Sequence, residues 1–197
     1  MAPNWLHAVV AAPADSGGVP LMVAVALAQW ALVLGPAALV VLWFKGGAED
    51  RRAAVSAALA ALLGLALAAV LSTLVFEPRP FAVGGVRNIL GHAPDSGFPS
   101  DHATLLFALS FGFWLRPPPA WPRLWLAALV LALAVGWARV FLGIHYPVDI
   151  LGAAVVAAVS VAILMTTPGR FATERLTRFG ETSSQRLLSA IRRRAPR

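Results

Sequence analysis

The sequence predicts an all-α bundle of about five membrane-spanning helices, and three observations support this fold class. The 197-residue chain is 59% hydrophobic and 13% charged, with a mean hydropathy of +0.75. A soluble domain of this length cannot bury so much apolar surface. Long apolar stretches recur between short polar segments, and about 20 apolar residues suffice to cross a bilayer. Lys and Arg are concentrated in alternate connections, as they are in polytopic membrane proteins.

The predicted elements follow in order along the chain. Trp5–Ala12 is expected to be a short interfacial segment before the first span. The spans themselves are predicted at residues 21–44, 53–76, 100–115, 123–137 and 147–165. A membrane-embedded domain at 1–169 and a basic cytoplasmic tail at 170–197 are the two predicted units.

Local signals justify the boundaries of these spans. A tight basic loop with Lys45, Arg51 and Arg52 separates the first two spans. The third span follows Pro99-Ser100, since serine is a favoured N-cap and proline is tolerated before the first turn. The fifth span begins at Pro147, where proline suits the first helical position.

The placement of basic residues predicts the orientation. Thirteen of the sixteen Lys and Arg residues fall on one side of the predicted spans, eight of them between Arg170 and Arg197. The other side holds three arginines, Arg79, Arg87 and Arg139. Because Lys and Arg favour the cytoplasmic side in short loops, the N-terminus is expected outside and the C-terminus in the cytoplasm.

Three polar segments fall on the predicted outer face and carry the groups suited to phosphate chemistry. Arg79 and Arg139 can each hold a phosphate with two parallel hydrogen bonds. Ser100, at the start of a helix whose N-terminus attracts anions, adds a neutral donor.

Two histidines in these segments can supply the reaction itself. His145 and Asp149 are four residues apart, so the carboxylate can accept from one ring nitrogen and leave the other as a nucleophile. His102 remains as a general acid. The chain has no cysteine and no evident cage of carboxylates, so no metal and no cofactor are expected. This set suits phosphoryl transfer through a phosphohistidine.

The three segments together resemble a known enzyme family. The order Arg79-Pro80, then Pro99-Ser100-Asp101-His102, then Arg139-x5-His145-x3-Asp149 is similar to the type-2 phosphatidic-acid-phosphatase superfamily. Within it, the runs at 79–81, 92–102 and 142–149 are similar to the bacitracin-resistance type of undecaprenyl-diphosphatase. They read Arg-Pro-Phe, His-Ala-Pro-Asp-Ser-Gly-Phe-Pro-Ser-Asp-His and Leu-Gly-Ile-His-Tyr-Pro-Val-Asp.

The resemblance implies hydrolysis of undecaprenyl diphosphate to the monophosphate on the outer face of the bacterial plasma (inner) membrane. It implies that His145 is the nucleophile, Asp149 its partner and His102 the acid. The phosphate ligands it implies are Arg79, Ser100 and Arg139. The expected partners are this polyprenyl diphosphate and the bilayer, with no nucleic acid.

Two other functions stay open from the sequence. A broader lipid phosphatase acting on phosphatidate or phosphatidylglycerol phosphate would share the same catalytic residues. A non-catalytic membrane protein that binds phosphorylated lipid would not need an intact nucleophile and acid.

Five further residues bear on the site. His92 and Asp95 lie in the loop over the site and can either touch the second phosphate or be solvated loop residues. Asp101 can either contact substrate or complement the helix dipole. The superfamily's first motif begins with a lysine where this chain has Ser72, which brings no charge. Arg87 is the remaining basic residue on the outer face, and we expect it to help neutralise the diphosphate.

Overall fold

The computed structural model describes residues 17–84 and 86–194, with side chains described as far as residue 186. The described residues form helices joined by loops and contain no strands, and one isolated bridge pairs Pro78 with Ser96. Its helices are α1 (Gly18–Gln29), α2 (Leu34–Lys45), α3 (Ala48–Leu74), α4 (Asp101–Leu115), α5 (Leu124–Phe141), α6 (Pro147–Met165) and α7 (Thr167–Arg194). The all-α prediction is confirmed, while the predicted interfacial segment Trp5–Ala12 lies outside the described residues.

Four helical stretches in the described part of the chain are long and apolar enough to cross a membrane. They are Gly18–Lys45, Ala48–Leu74, Leu124–Phe141 and Pro147–Met165, and they correspond to the first, second, fourth and fifth predicted spans. The first is interrupted by a 3-10 turn at Ala31–Val33. Pro36 follows that turn and lacks the N–H that would bond to the carbonyl of Leu32, so a continuous α-helix is not possible there.

The third predicted span, residues 100–115, corresponds to the central helix α4, Asp101–Leu115. α4 has 15 residues, which corresponds to about 22 Å at 1.5 Å per residue. That length falls short of a hydrocarbon core of about 30 Å. α4 packs against α3, α5 and α6 and buries Leu106, Leu109 and Phe113. It is therefore surrounded by the spanning helices.

Small residues allow α3 and α4 to approach closely. A Cβ atom at Gly112 would lie 3.0 Å from the Cα of Ala57, and one at Gly64 would lie 3.2 Å from Thr104 Cγ2. Ala60 and Ala61 are buried in the same region of α3. Close backbone packing of this kind is how helices associate where water supplies no hydrophobic driving force. It fixes the position of α4, and with it the N-terminal end that carries Ser100 and His102.

α7 lies across the end of the bundle opposite His102. Thr173 and Thr177 are buried, and a Cβ at Gly180 would lie 2.7 Å from the Trp43 ring. Arg51 Nη1 lies 3.2 Å from Glu181 Oε1. Since these contacts join α7 to the ends of α2 and α3, the basic tail is helical and docked. Its helix begins three residues before the predicted boundary at 169/170.

Candidate active site

The three polar segments predicted from the sequence come together at one end of the bundle. The loop between α3 and α4 supplies Arg79, the start of α4 supplies Ser100 and His102, and the α5–α6 connection supplies His145. Five of the six predicted principal residues are buried, with exposures of 8% for Arg79, 0% for Ser100, 3% for Arg139, 2% for His145 and 0% for Asp149. Buried polar groups at this density need partners, and most of them have one.

His145 is held with one ring nitrogen directed at acceptors and the other at a donor. Its Nδ1 lies 2.8 Å from the carbonyl oxygen of Gly97 and 3.3 Å from Oδ2 of Asp149. Its Nε2 lies 3.3 Å from Nη1 of Arg79. Because a guanidinium only donates, Nε2 carries the lone pair and Nδ1 carries the proton. This is the tautomer that a nucleophilic Nε2 requires.

Asp149 caps the start of α6 in addition to contacting His145. Its Oδ2 accepts a hydrogen bond of 2.8 Å from the backbone N–H of Tyr146, which caps the start of α6. The carboxylate therefore fixes both the helix start and the imidazole four residues before it. The nearest acceptor for His145 Nδ1, however, is the carbonyl of Gly97. The spacing of His145 and Asp149 gave no signal for this third residue.

A side chain at Gly97 would crowd two residues of the site. A Cβ there would lie 3.3 Å from Asp149 Oδ2 and 3.4 Å from Arg79 Cγ. The Gly97 N–H donates to the carbonyl of Glu77 at 2.7 Å, which ties the residues before α4 to the residues before Arg79. The sequence signal for this contact is the glycine within the run at 92–102.

Arg139 connects two other histidines. Its Nη1 lies 3.2 Å from Nε2 of His92, and its Nη2 lies 3.2 Å from Nδ1 of His102. Both ring nitrogens must accept, so His102 carries its proton on Nε2. The buried Nε of Arg139 has no hydrogen-bond partner within the described residues. His92, which the sequence assigned only a possible contact, thus lies within the site.

Ser100 occupies the predicted N-cap position of α4, but its hydroxyl forms no capping hydrogen bond. That hydroxyl is fully buried and has no partner in the described part of the chain. The Ser100 N–H donates to the carbonyl of Asp149 at 3.3 Å, which joins the starts of α4 and α6. Its Oγ is therefore a free donor in a buried site.

The electrostatic environment keeps the loop histidines neutral. Burial lowers the pKa of His145 well below its usual 6.5, and the positive charges of Arg139 and Arg79 lower it further. Burial, then Arg139 and Arg79, also lower the pKa of His92. Neutral imidazole at Nε2 of His145 is the reactive form of a histidine nucleophile.

Three of the further residues form no hydrogen bond or ion pair with this cluster among the described residues. Arg87 is exposed, and no hydrogen bond or ion pair of its side chain occurs among the described residues. Asp101 is exposed in the first turn of α4. The Ser72 hydroxyl donates to the carbonyl of Ala69 within α3 at 2.9 Å. Ser72 therefore does not replace the charge of the lysine that its position has in the family.

The sequence of this chain also matches a known family and known relatives. The pattern that defines the PAP2 superfamily matches residues 53–172. YbjG of Escherichia coli (strain K12) is 32% identical over 176 residues, covering 87% of this chain and 86% of that protein. Undecaprenyl-diphosphatase BcrC of Bacillus subtilis (strain 168) is 33% identical over 132 residues, 66% of each chain.

A solved structure shares the fold. The crystal structure of Aquifex aeolicus LpxE superposes with a TM-score of 0.66 at 18% identity, covering 83% of this chain and 94% of LpxE. The sequence match includes all three of the polar segments that form the site. It confirms the family predicted from those segments, and the chain belongs to the PAP2 superfamily.

Proposed function

We propose that this protein hydrolyses undecaprenyl diphosphate, or a closely similar polyprenyl diphosphate, to the monophosphate and inorganic phosphate. One observation carries the proposal. The unprotonated Nε2 of buried His145 lies 3.3 Å from an arginine that can also bind phosphate. Arg139 and the Ser100 hydroxyl supply further donors in the same site. Donors placed where negative charge develops are the main source of catalysis in phosphoryl transfer.

The proposed reaction has two steps. In the first, His145 Nε2 attacks the terminal phosphorus, and the bond from phosphorus to the bridging oxygen breaks. His102 donates a proton to the bridging oxygen, and the lipid monophosphate leaves. In the second, water attacks the phosphohistidine, the P–N bond breaks, and His102 takes the proton of the water. Inorganic phosphate is released and His145 is restored.

The state of His102 in the structure bears on the first step. Its Nδ1 accepts from Arg139, so the ring is neutral and a weak acid. A phosphate bound by Arg139 would accept the hydrogen bond that Arg139 otherwise donates to His102. His102 Nδ1 would then be free to bind a proton. In this proposal the substrate itself thus completes the acid that the reaction needs.

The names of relatives and the charge pattern support the substrate and the location. BcrC of Bacillus subtilis is named an undecaprenyl-diphosphatase. The site lies at the end of the bundle that holds Arg79, Arg87 and Arg139, opposite the basic helix α7. The positive-inside rule supports an outward orientation of this end. The bacterial relatives YbjG and BcrC support a bacterial plasma membrane as the location.

The first experiment is a substrate panel. Protein purified in detergent should release phosphate from undecaprenyl diphosphate faster than from phosphatidate or phosphatidylglycerol phosphate, with and without EDTA. Equal rates on all three lipids would favour the broader lipid phosphatase. No release from any of them would contradict an enzymatic function. Loss of activity in EDTA would contradict the metal-independent mechanism.

The second experiment tests the nucleophile. His145→Ala and His145→Asn should be inactive, and an acid-labile, base-stable phosphoenzyme should be trappable in the parent. Asp149→Asn should keep the fold but lose much of the rate, because the imidazole loses an orienting carboxylate. A fully active His145→Ala protein would end the proposal.

A further inference from the structure

We infer that Asp95 is a positioning residue that orients Arg79 toward the phosphate site. This inference rests on the proposed function, because it assigns Arg79 the task of binding the transferred phosphate. Asp95 lies in the run at 92–102 but is not one of the six principal site residues expected from the sequence. Its Oδ1 accepts a hydrogen bond of 2.7 Å from Nε of Arg79.

The donors of Arg79 show what this contact does. A guanidinium has five N–H groups in a fixed plane. Nε donates to Asp95 and Nη2 donates to the Ser96 carbonyl at 3.3 Å, so two adjacent residues hold one edge of the plane. Nη1 donates to the Ile144 carbonyl at 3.3 Å and to His145 Nε2 at 3.3 Å.

The remaining donors point to where the phosphate must bind. When His145 Nε2 attacks phosphorus, its lone pair no longer accepts from Arg79 Nη1. That N–H and the remaining N–H of Nη2 form the end of the fork, which matches two phosphate oxygens. Asp95 and Ser96 therefore bond to the side edge of the Arg79 guanidinium. This arrangement directs its other N–H groups toward the reacting atoms.

Hydrogen bonds fix the backbone around Asp95, so its carboxylate can hold Arg79 in a fixed position. The Ser96 hydroxyl donates to the Val75 carbonyl at 3.1 Å, and the Glu77 N–H donates to that hydroxyl at 3.3 Å. These contacts tie the segment before α4 to the segment that carries Arg79. By contrast, the Asp95 side chain is 65% exposed, against 10% for Arg79. An ion pair with so exposed a partner contributes little to stability, so its effect is expected on geometry.

A competing role for Asp95 predicts the opposite result. If the carboxylate merely occupied Arg79 until an anion displaced it, removing the carboxylate would tighten the binding of phosphate. If it orients Arg79, removing it lets the guanidinium turn, and binding and catalysis weaken.

The test uses Asp95→Ala and Asp95→Asn, with Glu77→Ala as a matched control from the same loop. Asp95→Ala should lower kcat/KM by roughly 10- to 100-fold, the cost of a misplaced catalytic contact. Orthovanadate, a phosphate mimic, should inhibit it less strongly by a similar factor. Asp95→Asn retains an acceptor for Arg79 Nε. It should therefore recover most of the kcat/KM and most of the inhibition by orthovanadate. The melting temperature without ligand should stay near that of the parent, and Glu77→Ala should leave all values unchanged.

A double-mutant cycle with Arg79→Ala isolates the effect. If Asp95 acts through Arg79, Asp95→Ala should cost almost nothing once Arg79 is absent. Vanadate affinity or kcat/KM that is unchanged or improved in Asp95→Ala would overturn the inference. The shift in melting temperature on adding vanadate measures the effect of Asp95 on anion binding, independently of turnover. A parent protein that hydrolyses no lipid phosphate but binds vanadate in an Asp95-dependent way would refute the proposed function alone.

Discussion

At the scale of single residues, two arginines determine the protonation of three histidines. Arg79 donates to His145, while Arg139 donates to both His92 and His102. Each contacted nitrogen must be an acceptor, since a guanidinium has no lone pair to offer. The residues that bind phosphate in the proposed reaction therefore also hold the nucleophile in its reactive tautomer before substrate arrives.

The lowered pKa of His145 predicts the acid limb of the pH profile. A base whose pKa is lowered stays unprotonated to lower pH, so the part of kcat/KM that depends on neutral His145 should fall only below pH 6.5. Arg79→Gln removes one of the causes and should move this limb to higher pH, whereas Arg79→Lys keeps the charge and should move it less. Rates measured from pH 4.5 to 8 test this. A limb of the parent enzyme above pH 6.5 would contradict it.

Arg87 provides a second prediction for a single residue. The position of the family's lysine is Ser72 here, and the Ser72 hydroxyl is bonded within its own helix. If Arg87 neutralises the diphosphate, Arg87→Ala should lower kcat/KM on the order of 100-fold, because the contact strengthens in the transition state. The kcat/KM values of Arg79→Ala and Ser72→Lys, measured in the same assay, serve as comparisons. A rate near that of the parent would identify Arg87 as a solvated loop residue.

At the scale of elements, the close packing of α3 and α4 holds the site in place. Gly112 faces Ala57 so closely that an added Cβ would lie 3.0 Å from backbone. Gly112→Leu should force the helices apart and lower the free energy of unfolding by roughly 1 to 3 kcal/mol. Ala66→Leu, on the exposed face of α3, is the matched control and should cost little.

Thermal unfolding in detergent, followed by circular dichroism, measures both variants. Activity should fall with Gly112→Leu more than stability alone explains, because α4 carries Ser100 and His102 at its N-terminal end. If Gly112→Leu and Ala66→Leu unfolded at the same temperature, the close contact of α3 and α4 would not contribute to stability.

At the scale of the whole molecule, the site and the basic helix occupy opposite ends of the bundle. This separation makes the proposed orientation testable with single cysteines, since the chain has none of its own. Val83 is 60% exposed near the site, and Glu49 is exposed at the start of α3. Val83→Cys should react with an impermeant thiol reagent on intact spheroplasts, and Glu49→Cys only after the membrane is opened. The reverse pattern would place the site in the cytoplasm.

Gly84 and Gly143 are less suitable for such labels, and the reason is structural. Both have positive φ angles, +96° and +68°, which a cysteine adopts only with strain. A Cβ at Gly143 would also lie 2.1 Å from Val86 Cγ1. The turn between α5 and α6 thus needs glycine in order to bring His145 over the site.

Composition and the spacing of polar residues were enough to predict the all-helical class with its candidate membrane spans, the family, and polar residues that the structure brings together at one end of the bundle. Apolar runs of spanning length admit few alternatives in a bilayer, because backbone groups there must be bonded within helices. The pairing of His145 with Asp149 followed from four-residue spacing, which places two side chains on the same helix face. These are local properties of the chain.

Only the tertiary structure revealed the residues that act through backbone atoms or through loops. Gly97 offers a carbonyl to His145, and Asp95 holds Arg79 from a loop whose path no periodic pattern describes. The central position of α4 among the other helices and the docking of α7 were likewise hidden. They depend on which small residues meet across helices, as Gly112 meets Ala57 and Gly180 meets Trp43. Contacts between distant parts of a chain are determined by packing, whereas the sequence around each residue shows only its own propensity and polarity.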